Sequence, residues 1–260
     1  FLPFIGLIIG IIWSAAYFGL VYAGFPFFVV AFLITFLPFA LCGFMHMDGF
    51  MDCCDAIMSR RPLEQRQLIL KDSSTGAFAV VGMIFFVLGY FCFLSTAVTT
   101  GVDFANMVMI VVMSRSISGL HVLICKPMGQ SQYAMLHDAE PPEETLPEET
   151  LPEEEPTEES TTEEDCTELV ACDSVETASK KASAKSGVIL LLVLLAVITA
   201  LAFWCSSLWL ATLIVSAATA LGSLISIQYA KKNLGGMSGD IAGFGIIWGE
   251  LMGVFALVLC

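Results

Sequence analysis

Positive charge is scarce in this 260-residue chain: 11 Lys and Arg stand against 25 Asp and Glu, and charged residues of all kinds make up only 14%. With so few basic residues, a nucleic-acid partner is not expected. The nine cysteines show no paired C-x-x-C spacing and most lie inside apolar runs, so they read as reduced, mostly core residues. No basic stretch precedes the first apolar run, and the chain opens at Phe1 without a Met. A cleaved signal peptide is therefore not expected, and further residues are expected upstream.

What is abundant is hydrocarbon. The chain is 57% hydrophobic, and its apolar residues come in runs of about twenty rather than at amphipathic helical spacing. That pattern excludes a soluble binding module and predicts an all-α, polytopic membrane helix bundle. The expected spans are roughly 1–22, 26–45, 77–98, 104–125, 187–205, 208–229 and 240–259, about seven transmembrane helices in contact with a lipid bilayer.

The net charge of -14 misleads until the acids are placed. Seventeen of them lie between Asp138 and Glu176, a stretch with no Lys or Arg, and the rest of the chain carries +3. Rich in Glu, Pro and Thr and nearly free of aromatics, 138–186 cannot bury enough surface to order itself and reads as a disordered acidic linker. The expected division is 1–137, membrane helices with an Asp-rich loop; 138–186, linker; and 187–260, further membrane helices. Ten of the eleven basic residues fall in loops after the second, fourth and sixth spans, which the positive-inside rule assigns to the cytoplasm. The linker then belongs on that side too.

The charge outside the linker concentrates in HMDGFMDCCDAIMSRRPLEQRQLILKDSSTG, His46 to Gly76. Asp48, Asp52 and Asp55 recur at i, i+4, i+7, within an arc of about 60° on a helix. Three like charges on one stripe repel, and a hard cation such as Mg²⁺ would hold them together while keeping positions open for phosphate. Their alternative is a solvated loop pairing with Arg60, Arg61 and Arg66, but Phe50, Met51, Cys53, Cys54 and Ile57 between them need burial. Pro62 should end this helix, and LEQRQLILKD reads as a short interfacial amphipathic helix. Asp72 precedes SSTGAF, where Ser73 is positioned to cap the next span.

GFMHMDGFMDCCDAI followed by LEQRQLILKDSSTGAFAVVG resembles the signature of the cobalamin synthase (adenosylcobinamide-GDP ribazoletransferase) family, G-x-H-x-D-G-x-x-D-x-x-D and then K-D-x-x-x-G-A. FLPFIGLIIGII, SRSISGLHVLICKPMGQSQYAML and NLGGMSGDIAGFGIIWGEL are similar to the family's opening span, middle arginine helix and closing segment. There are three departures. Ser74 stands where members often carry a basic residue or His, Ile247 where a Glu is expected, and the insert after Asp138 lies outside the usual pattern.

The resemblance implies transfer of an adenosylcobinamide phosphate from adenosylcobinamide-GDP to alpha-ribazole or its 5'-phosphate, releasing GMP, late in bacterial cobalamin biosynthesis. It implies a multi-pass protein of the bacterial cytoplasmic (inner) membrane, with other cobalamin-assembly enzymes as potential partners. Asp48, Asp52 and Asp55 would hold Mg²⁺, one of them or Asp72 would accept the hydroxyl proton, and Arg60, Arg61 and Lys71 are phosphate contacts. His46 belongs to the matched pattern, which gives it a substrate role although it lies about 200° around the helix from Asp48.

Arg115, inside an apolar span, must be paired or face a wet cavity, and is expected to face phosphate or Asp240. Asp240 follows Gly235, Gly236 and Gly239, whose backbone leaves room for phosphate or metal near a helix start. Glu250 is a weaker site candidate, and Gly245, Gly249 and Gly253 at G-x-x-x-G spacing predict close helix packing. Competing readings are a CDP-alcohol phosphotransferase or polyprenyl transferase and, in another class, a cation transporter. The D-G-x-x-A-R continuation of the first is missing, and no second Asp-rich segment supports the inverted repeat of the last.

Overall fold

A computed structural model describes residues 2–72, 74–128, 187–200, 202–204, 206 and 208–260. The acidic linker expected over 138–186, its boundaries and the Ser73 cap lie outside the described residues. Nine helices make up the described chain: α1 Leu2–Tyr22, α2 Phe27–Leu41, α3 Met45–Met58, α4 Leu63–Ile69, α5 Ala77–Thr100, α6 Phe104–Ile124, α7 Gly187–Trp204, α8 Trp209–Leu234 and α9 Gly239–Leu259. Among the described residues no strand forms, only an isolated bridge between Pro127 and Met237 that ties the end of α6 to the α8–α9 turn.

Six helices are long and apolar enough to cross a membrane, and α2 with α3 would make a seventh, so the chain is a multi-pass membrane protein. The expected straight span over 26–45 is corrected here. The 15-residue α2 reaches only about 22 Å of the ~30 Å hydrocarbon core. Gly43 and Phe44 both adopt φ 60°, and the chain turns by 89° into α3. The left-handed region suits Gly43, which has no Cβ, and is costly for Phe44. The break re-aims the apolar run so that the aspartates come to lie in α3.

Helix α9 is the hub, packed against α8, α3, α6 and α5. It has little side chain to present there: a Cβ at Gly245 would strike Ile227, one at Gly249 would strike Ser223, and one at Gly253 would strike Thr219. The G-x-x-x-G spacing thus brings the α8 and α9 backbones together, where packing supplies the association that the hydrophobic effect cannot supply in lipid. Gly249→Val is expected to wedge the pair apart and lower the thermal midpoint in detergent by several degrees. An unchanged midpoint would show that the contact is dispensable. Gly6 and Gly10 of α1 lie equally close to the α6 backbone near Val111 and Val108, and Trp13 Nε1 donates to the Ile34 carbonyl at 2.7 Å, joining α1 to α2.

One end of the bundle gathers the functional segments. Helices α3, α6 and α8 finish there and α5 and α9 begin there, joined by Asp55 to the start of α5 and by Gln67 Nε2 donating to the Leu234 carbonyl at 2.8 Å. Arg60, Arg61, Arg66, Lys71, Lys126, Lys231 and Lys232 belong to this end.

Candidate active site

The helical stripe predicted from the i, i+4, i+7 spacing exists, because α3 is a continuous helix from Met45 to Met58. Its opposite face is buried: Phe50 stacks on Phe244 with ring centroids 5.6 Å apart, and Cys54 packs against Gly82. That burial fixes the rotation of α3 and leaves Asp48 exposed and Asp52 half-buried.

At Gly49 the helix crosses the first turn of α9 so closely that a Cβ would lie 2.7 Å from Asp240 Cα. Gly243 reciprocates, with the His46 carbonyl 3.0 Å from where its Cβ would be. The crossing puts Asp240 beside the stripe, and the charges of Asp48, Asp240 and Asp55 all act on Asp52. Asp240 is anchored by Ser238, which caps α9 by accepting the Ile241 N–H and donates its hydroxyl proton to Asp240 Oδ2 at 3.3 Å. None of Asp48, Asp52 and Asp240 makes an ion pair with a described residue. Gathered carboxylates repel one another, a repulsion that a bound cation would relieve.

Asp55, also expected in the metal set, has hydrogen-bond partners within the chain. Its carboxylate accepts the Gly76 N–H at 2.7 Å and the Ala79 N–H at 3.0 Å, capping α5. The cause is depth: Asp55 comes level with the start of α5, whose unsatisfied amides and positive dipole end attract a carboxylate. Gly76 permits the approach, since a Cβ there would sit 2.5 Å from Asp55 Oδ1. No group of three or more His, Cys, Asp or Glu among the described residues closes around a metal unaided.

His46, in the first turn of α3, faces away from the stripe toward the bundle interior, where it feels the charge of Arg115. Arg115 is 1% exposed and does not meet Asp240. Its Nη1 donates to Glu250 Oε1 at 2.5 Å, with Glu250 0% exposed, and its Nη2 donates to Cys42 Sγ at 3.2 Å beside the α2–α3 break. The acid that meets it thus lies one turn beyond Ile247, itself fully buried. Nearby, Tyr90 Oη, His46 Nδ1, Arg115 Nε and Glu250 Oε2 are buried without a hydrogen-bond partner among the described residues. Arg115 is therefore tied to the break in the membrane helix, not directed at the carboxylates.

Arg60 and Arg61 occupy the reversal between α3 and α4, exposed, with Arg60 at φ 52°. Lys71 and Asp72 lie exposed in the loop before α5. Asp72 accepts the Ser74 N–H at 3.0 Å, a bond that holds its carboxyl below the ordinary carboxylate range. The structure does not bring Asp72 to the α3–α9 crossing. Gly235 ends α8 at φ 83° against Leu63 and Gln67, and Gly236 packs on Met128, so both serve chain packing.

Two residues carry more than the sequence pattern suggested. Glu250 is the partner of Arg115, and the signal for it was available: two opposite charges buried near the middles of spans that run antiparallel. Arg66 was legible only as a basic residue on an interfacial helix. Its Nε donates to the Arg61 carbonyl at 2.7 Å and its Nη1 to Asn233 Oδ1 at 3.1 Å, a contact 167 residues away in sequence.

Comparison with known proteins matches these elements. The family model described as Cobalamin-5-phosphate synthase matches residues 1–147 and 168–258. A protein of Clostridium perfringens (strain SM101) named adenosylcobinamide-GDP ribazoletransferase is 31% identical over 98% of this chain and 84% of its own length. Proteins of the same name from Clostridium botulinum (strain Eklund 17B) and Geobacillus sp. (strain WCH70) are 48% identical over 32% of this chain and 31% over 51%, covering the same shares of their own lengths. No solved structure matches. The matched segments include α3 with its carboxylates and α9 with Asp240, and on this coverage the chain belongs to the cobalamin-5-phosphate synthase family.

Proposed function

We propose that this chain joins adenosylcobinamide-GDP to alpha-ribazole, or its 5'-phosphate, releasing GMP, with magnesium held at the α3–α9 crossing. Membership of the family makes it a transferase of cobalamin synthesis. The observation that carries the finer reading is the convergence of Asp48, Asp52 and Asp240, unpaired, at the end of the bundle that also gathers the basic residues. By the positive-inside rule that end faces the cytoplasm of a bacterial cytoplasmic membrane, where charged metabolites have access.

Asp52 and Asp240 would hold magnesium together with the substrate's phosphates, and the ion when bound neutralises charge on the diphosphate. The chain's own residues do the rest. Arg60, Arg61 and Lys71, at the same end, draw in the anionic substrate. The ribazole hydroxyl attacks the corrinoid-linked phosphorus, a new P–O bond forms, and the phosphoanhydride bond to GMP breaks. Asp48 is exposed and its carboxylate has no hydrogen-bond partner among the described residues, so its oxygens are available for the hydroxyl proton. Asp72 is less basic, being held by Ser74.

The purified protein in liposomes, given both substrates and Mg²⁺, should yield GMP and a cobalamin product in equal amounts. A folded protein that yields neither contradicts the proposal. Gly49→Ala should cost at least about tenfold in turnover, because the added methyl pushes Asp240 away from Asp52, and a misplacement near 1 Å can cost more than that. Normal turnover in that variant would show that the crossing distance is unimportant.

A further inference from the structure

The same end of the bundle holds a cavity of about 650 Å³ between the end of α3, α4, the start of α5 and the end of α8. Arg60, Arg66 and Asn233 give it a polar wall, and Ile57, Phe78 and Tyr229 give it an apolar one. Among the described residues no carboxylate lines it or pairs with its two guanidinium groups. Arg66 is also pre-set. Its bonds to the Arg61 carbonyl and Asn233 Oδ1 use Nε and Nη1, and Asn233 is itself held by donating Nδ2 to the Tyr229 carbonyl at 2.8 Å. These bonds aim the fork and leave Nη2 for an incoming oxyanion. Arg60 is in the left-handed region at φ 52°, a strain of the kind that gathers at ligand sites.

We infer that this cavity seats the nucleotide end of the diphosphate substrate, the guanosine phosphate that leaves. The inference rests on the transfer reaction proposed above. Its volume lies within the roughly 300–1,000 Å³ of small-ligand sites, enough for a nucleotide, whereas a corrinoid has several times the mass of one. Phe78 and Tyr229 supply aromatic rings on which a flat base could stack, and the arginines supply donors to phosphate. Ile57 follows Asp52 by five residues on α3, a rise of about 7.5 Å, so a diphosphate seated here extends toward the carboxylates. When the phosphoanhydride bond breaks, the oxygen and its electron pair leave with GMP, which Arg60 and Arg66 stabilise as the departing anion.

The test is equilibrium binding of GDP and of inorganic pyrophosphate to the full chain in nanodiscs of zwitterionic lipid with Mg²⁺. Wild type should bind both. Arg66→Gln should weaken both by about tenfold to a hundredfold, the scale of a lost charge-assisted bond. Tyr229→Leu, at an exposed position that should tolerate the change, should weaken GDP alone. In turnover, Arg66→Gln should raise KM for adenosylcobinamide-GDP and the inhibition constant for GMP together, leaving KM for alpha-ribazole unchanged.

No GDP binding by wild type, or binding that neither substitution alters, would overturn the inference. So would a defect confined to membranes containing anionic lipid, which would make the cavity a headgroup site. Binding is read without turnover, so a protein that binds GDP in this way but releases no GMP would overturn the transferase reading and leave this inference standing.

Discussion

Asp52→Asn should lower GMP release by about a thousandfold or more while the protein remains folded. The substitution keeps the size and shape of the side chain and removes one negative charge. Asp52 is the residue on which the charges of Asp48, Asp240 and Asp55 converge, so it is central to any cation held at the crossing. Losing a ligand to a metal that neutralises a diphosphate forfeits several kcal/mol of transition-state stabilisation, and about 1.4 kcal/mol is tenfold. The fold should tolerate the change, because Asp52 is half-buried and makes no hydrogen bond or ion pair that holds helices together. Removing one of several repelling charges should slightly raise the thermal midpoint. Steady-state GMP release with melting in the same detergent checks both expectations. Loss of activity with loss of fold would assign Asp52 a structural role instead.

Glu250→Ala should have the largest effect on stability. It strands the Arg115 guanidinium, 1% exposed, in the middle of the bundle, and breaking a buried pair from one side costs about 3–5 kcal/mol. The environment aggravates the cost, since Tyr90 Oη and His46 Nδ1 already lie buried there without partners among the described residues. Arg115 also donates to Cys42 at the α2–α3 break, so the loosened region includes the turn that presents α3. The double variant Arg115→Met with Glu250→Leu should recover much of the lost midpoint, as apolar replacements of buried pairs often do. If the single variant melts like wild type, the pair does not hold the core.

Much of the bundle was legible in the sequence because the bilayer is a demanding solvent: a chain crossing it must hide its backbone in helices about twenty residues long. The α2–α3 break escaped that reasoning. Hydropathy sees a continuous apolar run through Phe44, whereas the turn depends on two residues at φ 60° and on what α3 finds to pack against. Of the site, the stripe of Asp48, Asp52 and Asp55 was readable because helical spacing is local. The capping of α5 by Asp55 depends on its depth relative to that helix, which no local pattern carries. Asp240 joins the stripe through a backbone approach at Gly49 and Gly243, and nothing in two glycines so far apart in sequence signals that one lies against Asp240 and the other against His46. Arg115 showed the opposite failure. Its need for a partner was plain, but Asp240 was nearer to the recognised motif than Glu250 was.

A cation site made by α3 together with α9, with Asp55 serving the fold, is separated from one made along α3 alone by titrating Mg²⁺ in the GMP-release assay with Asp240→Asn and Asp55→Asn side by side. Asp240→Asn should raise the Mg²⁺ concentration for half-maximal activity by tenfold or more at an unchanged melting midpoint. Asp55→Asn should lower the midpoint through the lost α5 cap and leave the Mg²⁺ requirement near wild type. The reverse pattern, with the Mg²⁺ requirement moving for Asp55 and not for Asp240, would place the cation on α3 alone.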